Sequence, residues 1–426
     1  MRNAQLSDGG GPAFARGRLQ RGYGGSRRSS PEFVRAEADG LNTVTITRRG
    51  EERLRAGHPW IYRSDVSDVR AAGGDTVGIL GPTGRALGYA LYSERSEISL
   101  RLLTHDAAAP TLETWRDRLR AAIEYRAALD IDATAYRLVH GEGDRLPGLV
   151  VDRYGDYLVL QALSQGVDRL LPQLTSMLLE LLQPAGILAR NDPRVRLLEG
   201  LERRVDVLHG EVPHAIDARE GHVTYAVDPY RGHKTGLFLD QRENRMAAAR
   251  YARGRLLDAF SYNGGFAMTL APRCAEVLAV DISEDAVARI VANAARNGLT
   301  NIQARAMNVF DELRELERRG ERFDTIVLDP PAFAKNKAAV RKALSGYKEI
   351  NLRALKLLAP GGFLITCSCS YHVSEAAFAD VIAAAAVDAH ADVVVVEKRM
   401  QGRDHPVLIT VPETYYLKCF IVRKVA

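Results

Sequence analysis

From about residue 230 onward, short apolar runs alternate with helical stretches, and this alternation limits the possible folds more than any other feature of the chain. RLLDAF, EVLAVDI, NIQARAM, FDTIVLD and GFLITCS have the length and bulk of buried strands. Helical stretches fit between them, for example over 283–297 and 338–358. Strictly alternating β and α units predict a doubly wound parallel sheet, an α/β domain. VVVVEKRM and the terminal YYLKCFIVRK add further strands. In an open sheet of this kind, ligands bind at the carboxyl ends of the strands. The residues that close each run are therefore the candidate site.

The first run closes in Phe260, Ser261, Tyr262, Asn263, Gly264 and Gly265, a turn whose glycines let a ligand approach the backbone. The GxGxxG dinucleotide fingerprint is absent. The second run closes in Asp281, where a carboxylate grips the two hydroxyls of a ribose. A glycine turn and an acidic strand end, in that order and without a phosphate grip, point to S-adenosylmethionine rather than NAD. The fourth run closes in Asp329-Pro330-Pro331. Two prolines alone stiffen a loop, but an acid at the strand end turns that loop into a pocket wall. Asp329 is placed to hydrogen-bond the ring nitrogen of a base, and Pro330 and Phe333 to line and stack on it.

The fifth run carries Cys367 and Cys369, which period-two alternation puts on one face. No further ligands stand at metal-binding spacing. An arbitrary strand cysteine is a small buried hydrophobe, and Cys367 is assigned that role. Cys369 lies nearer the pocket end and is the candidate nucleophile. A thiolate adding at C6 of cytosine makes C5 nucleophilic enough to accept a methyl group, and a protonated Asp329 at N3 relieves the charge. A target inside folded RNA has to leave its stack.

Upstream the patterns differ. Residues 1–41 are Gly-, Ser- and Arg-rich and are expected to be a disordered arm. Residues 42–105 carry short alternating runs punctuated by glycine, which predict a small all-β barrel. A capped helix is expected over 110–130, then strands joined by tight turns, a helix near 168–182, and more strands up to 229. Trp60 is read as barrel core, and Glu142 and Asp144 as turn residues. The net charge of +5 hints at an anionic partner, although residues 1–40, with 7 Arg against 4 acidic residues, supply much of the excess. The four scattered cysteines suit a reducing, cytoplasmic setting. No apolar run is long enough to span a membrane.

Long segments resemble one family. HPWIYRSDV, YRLVHGEGDRLPGLVVDRYGDYLVLQ, GHKTGLFLDQREN, DAFSYNGGF, FDTIVLDPPAFAKNK, GYKEINLRAL, ITCSCS and DHPVLITVPETYYLKCF are similar to the RlmI-type bacterial methyltransferases that form 5-methylcytosine in 23S ribosomal RNA. The likeness covers about residues 42–426. It implies an RNA-binding PUA domain over 42–105, a central α+β domain over 106–229 and a class I methyltransferase domain over 230–426. It places cofactor contacts on Phe260 to Gly265, Asp281, Asp329, Gln241 and Arg242, and the thiol on Cys369. Asn308 stands where the family tends to have an acidic residue facing adenine. Lys234 is assigned to an RNA phosphate. The implied partner is 23S ribosomal RNA or a large-subunit assembly intermediate. The sequence leaves the oligomeric state open, a homodimer included. Two rivals remain: an exocyclic-amine methyltransferase using Asp329-Pro330-Pro331 with Phe333, and a non-catalytic RNA-binding assembly factor.

Overall fold

The computed structural model describes residues 42–334 and 336–425. The arm expected to be disordered over 1–41 lies outside the described residues.

The first unit is a six-stranded sheet in the order Trp60–Tyr62, Ile98–Thr104, Ala86–Tyr92, Thr76–Leu80, Thr43–Ile46, Val66–Arg70. It is not purely β. The run TVTITRRG stops as a strand at Ile46, and a helix occupies Arg48–Arg55. Thr47 causes the switch: its hydroxyl accepts from Gly50 N at 3.3 Å and caps the helix. Trp60 is not barrel core. It is half-buried, and its indole N–H donates to Glu142 Oε1 of the next unit at 3.1 Å.

The central unit is a five-stranded sheet in the order Arg204–Gly210, Gly186–Asn191, Tyr157–Ala162, Leu149–Tyr154, Ala135–His140. The helix Leu112–Ala128 begins with a capping box of Thr111 and Thr114. The helix expected near 168–182 is two, Gln165–Arg169 and Leu171–Leu182, because Pro172 at the second start lacks the N–H that would continue the first. Asp144 acts as a turn residue: it accepts from His140 N at 2.6 Å and from Arg126 Nη2 at 2.8 Å.

The third unit is built on seven strands: β1 (Arg255–Ala259), β2 (Glu276–Asp281), β3 (Ile302–Ala306), β4 (Phe323–Leu328), β5 (Leu358–Ser368), β6 (Val393–Arg399) and β7 (Lys418–Lys424). Their order is β3-β2-β1-β4-β5-β7-β6. β1 to β5 are parallel, and β7 inserts antiparallel between β5 and β6. The helices are α1 (Gly265–Leu270), α2 (Glu284–Arg296), α3 (Val309–Arg318), α4 (Val340–Leu357) and α5 (Glu375–Asp388). One face of the sheet packs α1, α2 and residues of the central unit such as Tyr154, Val159 and Leu188. The other packs α3, α4 and α5 around Tyr347, Phe378 and Phe420. Full burial of each such side chain contributes roughly 1.5–3 kcal/mol. The chain leaves β1 toward β2 and β3, then returns to the other side at β4. This topological switch opens a crevice at the strand ends.

Candidate active site

A cavity of about 710 Å³ sits in that crevice. One end is made by the connection from β1 to α1. Phe260 (φ 64°), Tyr262 (φ 53°) and Gly264 (φ 83°) are left-handed, which folds the turn tightly back on itself. Ser261 N donates to Val280 O at 3.0 Å, and Tyr262 N to Asp281 Oδ2 at 2.9 Å. Asp281 Oδ1 accepts from Ser283 N at 3.0 Å, and Ser283 caps α2 through Ala286 N. Asn308 caps α3, its Oδ1 accepting from Phe310 N at 2.9 Å. Asp258, buried beneath the turn, accepts from Ser261 Oγ at 2.6 Å and Ala267 N at 2.9 Å. Burial still pushes its carboxyl up to about 7, against the pull of those two donors.

The other end gathers residues from distant segments. Asp329 follows β4 and accepts from Gln241 Nε2 at 2.8 Å. Burial, then the neighbouring Asp240 carboxylate, pushes Asp329 up to about 6, while Gln241 pulls it back. Cys369 follows β5, half-buried, with Sγ 3.7 Å from Pro330 O. Burial and the Asp329 charge push its thiol up to about 11, partly offset by Lys234. The Cys369 loop is fixed from behind. Ser370 Oγ meets Tyr347 OH at 2.9 Å and accepts from Ala334 N at 3.2 Å. Lys418 Nζ donates to Ser370 O at 2.7 Å. Cys367 is buried opposite Cys419 across the β5–β7 pair. Among the four cysteines, Cys369 alone lines the cavity.

The cavity brings together Phe260, Ser261, Tyr262, Asn263, Gly265, Asp281, Asn308, Gln241, Asp329, Pro330, Phe333, Lys234 and Cys369. Two expected contacts lie elsewhere. Gly264 shapes the turn without lining the cavity. Arg242 turns away: it is buried, with Nη1 3.0 Å from Asp404 Oδ2, because the helix it opens points this side chain to the back of the site. Phe333 lines the cavity, but one side of its ring packs on Tyr347 at a 4.7 Å centroid distance. Gly346 permits that packing, since a Cβ there comes within 3.3 Å of the ring. The Lys234 side chain is partly exposed, and its ammonium pairs with Asp240 Oδ2 at 2.6 Å.

Sequence reasoning missed Asp258, Asp240 and Tyr416, which all line the cavity. Asp258 opens the DAF segment and Asp240 precedes Gln241, so both signals were in view. Tyr416 reaches Asp240 Oδ2 at 2.8 Å from just before β7. That placement depends on a strand that returns antiparallel, which no local pattern announces.

A central switch point with a glycine turn after β1 and an acid ending β2 defines the class I methyltransferase fold. The comparisons agree. Residues 44–105 match the model of a PUA-like domain, and residues 137–406 match that of the S-adenosylmethionine-dependent methyltransferases. A protein of Tolumonas auensis named "Ribosomal RNA large subunit methyltransferase I" is 41% identical over 90% of this chain and 99% of its own length. One of the same name from Klebsiella pneumoniae is 40% identical over 90% and 99%. Among solved structures, one described as "a putative methyltransferase complexed with SAH" superposes with TM-score 0.78 at 22% identity, covering 89% of this chain and 99% of the other. The chain belongs to the S-adenosylmethionine-dependent methyltransferase family, in the group whose members are named ribosomal RNA large subunit methyltransferase I.

Proposed function

We propose that this protein methylates C5 of a cytosine in the 23S ribosomal RNA of the large subunit, through a covalent bond from Cys369 to C6. The ribosomal substrate rests on the names of relatives that match along nearly their whole length. The observation that carries the chemistry is that Cys369, the cavity's thiol, shares that cavity with Asp329, a carboxyl that burial pushes up to about 6.

The cofactor end suits S-adenosylmethionine, which supplies an electrophilic methyl group when bound. Asp258 Oδ1 is buried without a hydrogen-bond partner, an acceptor suited to a cationic amino group. Asp281 keeps lone pairs beyond its two backbone bonds for the ribose hydroxyls. At the other end, the Cys369 thiolate attacks C6 while protonated Asp329 donates to N3, so negative charge does not build on the ring. C5 then takes the methyl group, N3 returns its proton to the Asp329 carboxylate, and a base accepts the C5 proton as the C5–C6 double bond re-forms and expels the thiolate. Phe333, partly exposed to the cavity between Phe310 and Tyr347, offers an aromatic edge or face to the base.

The test is incubation with tritiated-methyl S-adenosylmethionine and unmodified ribosomal RNA, beside Cys369→Ala, followed by nucleoside separation. Label in 5-methylcytidine, lost in the variant, is expected. Label in a methylated amine, untouched by the variant, overturns the thiol mechanism. Absence of both label and cofactor binding points to the assembly-factor role.

A further inference from the structure

Lys234 is held in a conformation that lysine rarely adopts. Its φ of 55° is left-handed, and it borders the same cavity as Phe260 and Tyr262. A non-glycine residue in this region is strained and persists only where its surroundings force it. Here the force comes from the central unit. Thr235, fully buried, donates from Oγ1 to Asp152 Oδ2 at 2.6 Å and meets Tyr154 OH at 3.0 Å. Tyr154 OH also accepts from Leu237 N at 3.1 Å, and Arg137 holds Asp152 from the far side at 2.7 Å. On the cavity side, His233 N donates to Tyr262 OH at 2.9 Å. The loop is thus fixed on both sides of Lys234.

The pinned side chain lines the cavity that also holds Cys369 and keeps 37% of its surface exposed. Its ammonium lies 2.6 Å from Asp240 Oδ2 and 4.7 Å from the centre of the Phe238 ring. Tyr416 OH shares the same carboxylate oxygen. Burial pushes Asp240 up, but Lys234, His405 and Tyr416 pull harder and hold it below the usual carboxylate range. An ammonium committed to a buried carboxylate is poorly placed to follow an RNA phosphate.

The charges facing Cys369 come from several elements. Asp329 after β4 and Asp240 oppose the thiolate, and Lys234 favours it. Tyr347 on α4 packs behind it. Lys418 on β7 also senses the thiol, but it is buried away from the cavity and gives two hydrogens to the Ser370 and Tyr416 carbonyls.

We propose that Lys234 is the positioning cation that sets the reactivity of Cys369, anchored by the central unit through Thr235 and aimed by Asp240. This rests on the reading of Cys369 as the nucleophile.

The test needs neither cofactor nor RNA. Alkylation of full-length protein by iodoacetamide is followed from pH 7 to about 10.5, with Cys369→Ala as the blank. Lys234→Met is expected to react about tenfold more slowly at pH 8.5, its profile displaced upward by about one unit. Lys234→Arg, which keeps the charge, is expected to stay within about threefold of the parent protein. A Lys234→Met profile that superposes on the parent, with the fold intact by circular dichroism, overturns the proposal. If Lys234→Met fails to fold by circular dichroism, Thr235→Val replaces it: a smaller displacement in the same direction supports the proposal, and an unchanged profile overturns it. The parent reading fails separately, through 5-methylcytidine formed by Cys369→Ala.

Discussion

The two ends of the cavity are built in different ways. The cofactor end is built at the ends of adjacent strands: a tight turn, two helix caps that bond within two or three residues, and a strand-end carboxylate that accepts from Tyr262 N after the neighbouring strand. The thiol end is assembled from the Lys234 to Gln241 loop, the residues after β4 and β5, and Tyr416 before β7, and it is braced by the central sheet. A local site tolerates distant changes, whereas an assembled one transmits them. Variants at each end therefore separate binding from chemistry.

Cys369→Ala breaks the thiol end most completely. Loss of the nucleophile is expected to lower methyl transfer by at least about 10⁴-fold. S-adenosylmethionine affinity by calorimetry should stay within about twofold, because no cofactor-end group touches the thiol. Weakened cofactor binding in this variant argues that the two ends are one coupled site.

Asp329→Asn separates two properties that usually move together. Methyl transfer is expected to fall roughly 10²–10³-fold, because the amide cannot deliver a proton toward N3. The Cys369 thiol should become easier to ionise, since the carboxylate that opposes it is gone. Alkylation at pH 8.5 is expected to rise about threefold or more. Stability moves with it. The folded carboxyl titrates at about 6, above its unfolded value of about 3.9, so the folded state binds more protons between these values and loses stability as pH rises through them. The asparagine variant escapes that loss: it should gain thermal stability relative to the parent above pH 6 and match it near pH 4. Slower alkylation would mean that Asp329 helps the thiol lose its proton.

Asp281→Ala tests the cofactor end. It removes a carboxylate that organises Tyr262 and Ser283 and that we propose for the ribose. Cofactor affinity is expected to drop about 10- to 100-fold, while the alkylation rate of Cys369 stays unchanged. A change in alkylation would show that the turn after β1 also shapes the thiol end, through the tie from His233 to Tyr262.

The same division decides what could be read from the chain. Alternating runs gave the order of strands and helices, because a buried parallel strand is continuously apolar and its end is chemically marked. Phe260 to Gly265, Asp281, Asp329 and Cys369 all sit at such ends and all reach the crevice, apart from Gly264, which serves the turn. Arg242 misled because it adjoins Gln241, and neighbours on a helix point about 100° apart. Lys234, assigned to an RNA phosphate, pairs with Asp240, a partner that no local pattern marks. Nothing local reveals that the central strand Leu149–Tyr154 fixes Thr235, or that β7 carries Tyr416 back to the site. Thr47 and Pro172, which redirected two elements, are single residues overriding a run.

Asn308 gives the finest test of the local end. Its Oδ1 already caps α3 through Phe310 N, so the adenine amino group that the resemblance implies there would share the same oxygen. Asn308→Asp divides these duties between two oxygens. One keeps the cap, for which Asp and Asn serve about equally, and the other is free for adenine. The added negative charge at the N-terminus of α3 favours the helix by about 0.3–1 kcal/mol. Cofactor affinity by calorimetry is expected to tighten about fivefold, equivalent to ~1 kcal/mol, with thiol alkylation unmoved. A loss of similar size carries a different lesson. It would mean that the amide Nδ2 donates to a ring nitrogen of the cofactor, a contact that a carboxylate cannot make. The departure from the family at this position would then mark a changed adenine contact rather than a neutral exchange.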